Sequence, residues 1–338
     1  MQPAQILHPR PEGLYCPLAD LYIDPVRPVA RALITHGHSD HARAGHGSVL
    51  ATADTLAIMA ARYGADFAGS QQSLAFGETL TLNGAHFSLH SAGHVLGSAQ
   101  AAVEADGRRI VVSGDFKRQP DPTCAPFEVV PCDVFISEAT FALPVFNHPS
   151  AEHEVRRLIA SVAMFPERAH VVGAYALGKA QRVMAELRRC GWDKPIFVHG
   201  ALMELTALYK SRGVELGDVR HVETAPKSFY AGAIVLCPPG ALQTPWVRRF
   251  PDPVTAVASG WMRIRARARL QGVELPLVIS DHADWGDLQR TILDTGAGEI
   301  WITHGEADAL AHWCESQGLK AKALHLVGYG DEEEPSAA

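Results

Sequence analysis

Four side chains that bind first-row metals, His36, His38, Asp40 and His41, fall within six positions of the run Ile-Thr-His-Gly-His-Ser-Asp-His-Ala at 34–42. Imidazoles with a carboxylate among them suit zinc, iron or manganese in a hydrolytic centre. Residues 32–35 are apolar or β-branched and read as a strand, so His36 and His38, two apart on extended chain, point the same way toward one ion. A tighter turn after Ser39 aims Asp40 and His41 toward a second ion. The spacing therefore predicts two metals side by side.

Further candidate ligands stand where strand-like runs end: His94 in Ser-Ala-Gly-His-Val-Leu-Gly-Ser, Asp115 in Ser-Gly-Asp-Phe, and His304 in Ile-Thr-His-Gly-Glu. A sheet gathers such ends at one edge, and the adjoining Gly93, Gly114 and Gly305 let the backbone turn sharply beside an ion. A lone histidine is usually a hydrogen-bonded structural residue; a set of matching chemistry is a candidate site.

The elements that must position them alternate along the chain. Strand-like runs occur near 32–35, 86–90, 110–113, 134–137, 170–173, 196–198, 234–237, 254–258, 277–280 and 299–303. Helical periodicity is clearest at 179–190, ended by Gly191, and at 201–212, ended by Gly213. The class is α/β, without an internal repeat.

Composition bounds the function. The 338 residues are 47% hydrophobic and 20% charged, enough for a large core and one or two domains. Six cysteines lie far apart with no Cys-x-x-Cys pair, which argues against a disulfide frame or a thiolate zinc site and points to a reducing cytoplasm. The first residues lack a basic stretch followed by an apolar run, and no segment approaches a membrane span, so neither export nor a membrane is expected. A net charge of −7 is unusual for a protein that handles nucleic acid, but part of it sits in the acidic run 331–334, which reads as a solvated tail. Arg263, Arg265, Arg267 and Arg269 alternate with apolar residues, and on a strand this would put four guanidiniums on one face, with Arg248 and Arg249 nearby in sequence. A solvated charged face is the plainer reading of that run; a phosphate-binding surface is the functional one.

These motifs resemble the metallo-β-lactamase fold, in its branch of nucleic-acid hydrolases carrying the β-CASP insertion. Asp24 looks like the first-strand aspartate, His36 to His41 the His-x-His-x-Asp-His signature, His94 the third motif and Asp115 the bridging aspartate. Glu138 in Ser-Glu-Ala-Thr, His282 in Ser-Asp-His-Ala-Asp and His304 in Thr-His-Gly-Glu resemble the motifs of the nuclease branch. The segment Ala-Leu-Gly-Lys-Ala-Gln at 176–181 is similar to one common in β-CASP domains. Gly-Leu-Tyr-Cys-Pro, Tyr-Ile-Asp-Pro and Ser-Gly-Trp-Met-Arg-Ile-Arg resemble bacterial DNA-ligase-associated exonucleases.

The resemblance implies that His36, His38 and His94 hold one divalent ion and Asp40, His41 and His304 the other, with Asp115 bridging. Zn2+ is the expected metal, with Mn2+ or Fe2+ as alternatives. Coordination brings the pKa of water to about 7, which supplies a nucleophile without a protein base. His282 would sit over the scissile phosphate and neutralise developing charge or protonate the leaving oxygen, with Glu138 orienting it. The plain reading of Glu138 is a surface acid. Asp24 braces the ligand loop or caps a turn. Ser259, Gly260 and Trp261 are similar to a short motif of Artemis-like repair nucleases, where Trp261 could stack on a base; the alternative is a core tryptophan. Lys179, near a helix start, binds phosphate or is simply solvated. His8, His46, His86, His90 and His199 have no motif support and read as structural.

The architecture implied is an αββα metallo-β-lactamase sandwich from residues 1–145 and 272–338, with a β-CASP α/β cap from 146–271 and a cleft between them. The expected function is a metal-dependent DNA nuclease, an exonuclease in repair acting on single strands or free ends, with an ATP-dependent DNA ligase and a helicase as partners. A β-CASP ribonuclease, a non-catalytic nucleic-acid-binding subunit and a thioester-type hydrolase are the rivals, the last having no call for Glu138, His282 and a cap.

Overall fold

Alternation along the strands decides how this chain layers. The computed structural model describes residues 1–303 and 305–324. It divides into two compact units, one from residues 1–147 with those from 282 onward and one from residues 148–281.

The first unit is built on two sheets. One has six strands in sequence order, from His8–Arg10 to Ser48–Ala51 and Gln71–Ser73, antiparallel at its start and parallel from Leu21–Ile23 onward. The other has seven, in the order Lys320–Ala323, Glu299–Ile302, Val134–Ser137, Arg108–Val112, Ala99–Ala105, Ala85–Ser91 and Thr79–Leu82. Period-two geometry sorts their side chains. Leu33 and Leu50 of the first sheet join Phe87, Val103, Ile110, Ile136 and Trp301 of the second in one core. Their chain neighbours Ala32, Ile34, Val49 and Ala51 instead pack with Met59 of the helix Ala53–Tyr63. On the second sheet, Val111, Phe135, Ile300 and Ile302 pack with Leu288 and Ile292 of Trp285–Thr295 and with Leu310 of Ala307–Ser316. Each buried Leu, Ile or Phe contributes about 1.5–3 kcal/mol. A one-residue slip would move whole sets to the wrong face, so the register is strongly fixed.

The second unit holds a six-stranded sheet, every pairing parallel, in the order Val219–His221, Ile196–Val198, Ile234–Cys237, His170–Gly173, Val254–Ala258 and Leu275–Leu277. Its central strands Ile234–Cys237 and His170–Gly173 are buried throughout, as a sheet covered on both faces requires. The unit runs on to residue 281 rather than 271, because Leu275–Leu277 pairs with Val254–Ala258 and so belongs to this sheet.

The arginine run is not a strand. Residues Gly260–Arg263 form a 3-10 turn and Arg265–Leu270 an α-helix. Alanine and arginine are both good helix formers, and that preference overrides the alternation. On a helix Arg265 and Arg269 share a face, whereas Arg267 turns away to lie 3.9 Å over the Trp261 ring.

Candidate metal centre

The strand Arg31–Leu33 delivers the ligand loop. Beyond it Thr35, His36 and His38 are buried, and the chain turns where Ala42 N–H donates to the His38 carbonyl at 2.7 Å. Asp24 fixes the geometry of this loop. Its Oδ1 accepts from the Thr35 amide at 2.7 Å, and its Oδ2 accepts from the Thr35 hydroxyl at 2.6 Å and lies 2.8 Å from His41 Nδ1. The His41 Nε2 is thereby directed at Asp40 Oδ2 and Asp115 Oδ1, 3.6 and 3.5 Å away.

The other imidazoles converge on the opposite side of Asp115. His36 Nε2 and His94 Nε2 lie 3.3 and 3.7 Å from Asp115 Oδ2, and His94 Nε2 lies 3.0 Å from His38 Nδ1. One donor atom from each of His36, His38, His94 and Asp115 falls within 4.8 Å of all the others. The two Asp115 oxygens thus address two separate ligand groups.

His94 and Asp115 reach these places through glycines. A Cβ on Gly93 would sit 2.4 Å from the Lys117 carbonyl oxygen, and one on Gly114 would sit 2.8 Å from the Thr35 hydroxyl; both glycines have positive φ. Under the His94 loop, Lys117 is almost wholly buried. Its Nζ donates to the His94 carbonyl at 3.1 Å and pairs with Asp121 at 2.6 Å.

Glu138 follows the strand Val134–Ser137 and is fully buried. It takes the Phe116 amide on Oε1 at 2.7 Å and faces His282 Nδ1 with Oε2 at 2.8 Å. The His282 ring centroid is 4.7 Å from that of His94. Asp115, Glu138 and His282 form a second buried group of potential ligands.

Charge follows from this crowding. Burial would lower His41, but Asp115, Asp40 and Asp24 outweigh it and raise its pKa to about 10. Burial, with the charge of His41, pushes His36 down, and burial with His282 and the other imidazoles pushes His94 well down. Burial would raise Asp115, yet His41, His36 and His282 hold it well below the ordinary carboxylate range. Burial raises Glu138 against the opposing pull of His282. Among the described residues, His36 Nε2 and Asp40 Oδ1 are buried and make no hydrogen bond. Neutral imidazole nitrogens and an acidic carboxylate aimed at one point are the donor set a divalent cation requires, and the residues fit one.

The remaining sequence candidates sit otherwise. His304 lies outside the described residues. Ser259 and Gly260 are buried in the second unit, and the Ser259 hydroxyl caps the 3-10 turn by accepting from the Trp261 amide at 3.2 Å. Trp261 is half-buried with one ring face covered by Arg267. Arg263 and Arg265 are exposed. Lys179 is neither solvated nor open to a phosphate: it is fully buried, and its Nζ donates to the Ile279 carbonyl at 2.9 Å.

No family model matches the chain. Among curated proteins, a probable DNA ligase of Opitutus terrae is 29% identical over 320 residues, covering 92% of this chain and 30% of that protein. An RNase J-like protein of Methanocaldococcus jannaschii is 31% identical over 37% of this chain and 32% of its own length. The endoribonuclease YSH1 of Eremothecium gossypii is 33% identical over 33% of this chain and 15% of its own. These similarities are consistent with a β-CASP metallo-β-lactamase nuclease. The chain spans no more than about a third of the length of each of these three proteins. In fold, the chain resembles a protein of unknown function from Enterococcus faecalis V583, whose crystal structure aligns with a TM-score of 0.55 at 12% identity, over 80% of this chain and 74% of that one.

Sequence reasoning passed over several residues of this site. Thr35 stands between Asp24 and the ligand loop, and its place in Ile-Thr-His was the available signal. Ser98 accepts the His94 and Val95 amides at 3.0 and 3.1 Å and closes the His94 turn. Lys117 and Asp121 carried no signal, because a buried lysine is spelled like an exposed one.

Proposed function

We propose that the chain is a metal-dependent phosphodiesterase that shortens DNA from an end during repair. In this reading residues 1–147 and those from 282 onward form the αββα metallo-β-lactamase sandwich, and 148–281 form the inserted β-CASP unit. The observation that carries it is the Glu138–His282 pair set beside the His36, His38, His94 and Asp115 group. A hydrolase of small thioesters has no use for that pair.

His36, His38 and His94 would hold one cation and Asp40, His41 and His304 the other, with Asp115 between them, Zn2+ being the favoured ion and Mn2+ or Fe2+ the alternatives. When bound, these cations would supply charge neutralisation at the phosphate and an activated water near neutral pH. The protein's own part is positioning and proton transfer. Glu138 holds His282 through Nδ1 and favours its charged form, and in this reading Nε2 contacts a phosphate oxygen and passes a proton to the leaving oxygen. Asp24 holds His41 in the tautomer that presents Nε2. Exposed Arg263, Arg265 and Arg269 would contact backbone phosphates.

The match to a protein named a probable DNA ligase runs along 92% of the chain and favours DNA as substrate, with ligation as the neighbouring step and a ligase and helicase as partners. Six free cysteines fit a reducing cytoplasm, and among the described residues no helix is long and apolar enough to cross a membrane. The second reading is a ribonuclease, favoured by the names of the RNase J-like and endoribonuclease relatives, which match about a third of the chain. Incubating metal-loaded protein with 5′-labelled and 3′-labelled DNA and RNA strands separates them. Stepwise shortening of DNA supports the proposal; cutting of RNA alone supports the second reading; binding without turnover makes the chain a scaffold.

A further inference from the structure

Lysine and arginine are almost never fully buried unless paired, yet Lys179 and Arg182, on the helix Lys179–Arg189, are 0% and 1% exposed. Both address one short segment. Lys179 Nζ donates to the Ile279 carbonyl at 2.9 Å and lies 3.3 Å from Asp281 Oδ2. Arg182 Nη1 donates to the Ser280 carbonyl and lies 3.3 Å from Asp281 Oδ1. Two successive carbonyls and both oxygens of the next carboxylate are therefore held by two cations.

The residue after Asp281 is His282. Residues 278–284 belong to neither helix nor strand, so no ladder satisfies their backbone groups. Just past the histidine, the Ala283 amide donates to the Phe116 carbonyl at 2.7 Å, and the Phe116 amide is held by Glu138. Buried ion pairs are weak sources of net stability, because desolvation offsets most of the attraction, but they fix geometry where a carboxylate must point one way. We infer that Lys179 and Arg182 are positioning residues, which hold the backbone entering His282 so that its imidazole meets Glu138. They act through that histidine and touch no substrate.

The inference deepens the nuclease reading, and its test has one arm independent of it. Hydrogen exchange is compared in the wild type, Lys179→Met, Arg182→Met and Arg182→Lys, each retaining the wild-type circular dichroism. Exchange at 279–284 should quicken about tenfold or more in the two methionine variants while the strands His170–Gly173 and Ile234–Cys237 stay protected, and Arg182→Lys should restore much of the protection. Unchanged exchange at 279–284, or loss of protection throughout residues 148–281, overturns it.

In the kinetic arm, on labelled single-stranded DNA, Lys179→Met should lower kcat about tenfold with KM within about twofold, and should add less than about twofold in a His282→Ala background. A raised KM with weaker salt dependence, or a full additional loss without His282, overturns it. Wild-type protein inactive on every strand removes the nuclease reading and leaves the exchange arm to decide.

Discussion

The Nδ1 of His282 lies 2.8 Å from Oε2 of Glu138, a carboxylate whose other oxygen is occupied by the Phe116 amide. The pair fixes the orientation of the imidazole through Nδ1. Glu138→Gln keeps the shape and removes the charge that favours the imidazolium. Its kcat on labelled DNA should fall about 10–100-fold, the usual cost of losing such an orienting partner. A rate within about twofold of wild type would return Glu138 to a structural role.

Asp24 meets the Thr35 amide, the Thr35 hydroxyl and His41 Nδ1, while His41 Nε2 faces Asp40 and Asp115. Asn tolerates its positive φ, so Asp24→Asn tests charge rather than backbone. Affinity for Zn2+, measured against a chromophoric chelator, should drop about 10–100-fold. An unaltered affinity would mean that Asp24 only shapes the turn.

Arg265 and Arg269 share one exposed face, and Arg267 is spent on Trp261. Replacing both Arg265 and Arg269 by alanine should weaken single-stranded DNA binding more at about 50 mM salt than at 200 mM, and lower the salt slope by about one to two. Equal losses at both concentrations would reject phosphate contact. Arg267→Ala should instead alter the fluorescence of Trp261.

Burial, with the charge of Arg168, pushes His170 below its ordinary value, and its Nε2 is held 2.9 Å from the Ser161 hydroxyl. The sign follows from linkage. In the unfolded chain the imidazole takes its proton near about 6.5, whereas the folded protein resists it. The stability involved is complete above that pH and is lost as pH falls toward the lower folded value. Urea midpoints should therefore decline between about pH 7.5 and 5.5, and His170→Gln should flatten part of that decline. Parallel curves for the two proteins would count against it.

How far the sequence could be read depended on whether a signal was local. His36 to His41 lie within one loop, so their grouping was visible. Val134–Ser137, His170–Gly173 and Ile234–Cys237 were legible as apolar runs because both of their faces are covered. The strand Ala99–Ala105 was not, because an alanine-rich run favours helix in isolation and becomes a strand only between Ala85–Ser91 and Arg108–Val112. The arginine run misled for the opposite reason, its alternation suggesting a pleat where helix preference prevailed. The burial of Lys117 and Lys179 could not be read at all. Their partners, Asp121 with the His94 carbonyl and Asp281 with the Ile279 carbonyl, are defined only once the chain has folded.

The discontinuity of the first unit sets an order on synthesis. A ribosome that has issued residues 1–147 has already released His36, His94, Asp115 and Glu138, but His282 and the strand Glu299–Ile302 beside Val134–Ser137 are still untranslated. Until those later residues are made, the nascent chain exposes an apolar sheet edge and an incomplete ligand set. A chain that stops within residues 148–281 therefore carries Glu138 without its partner His282.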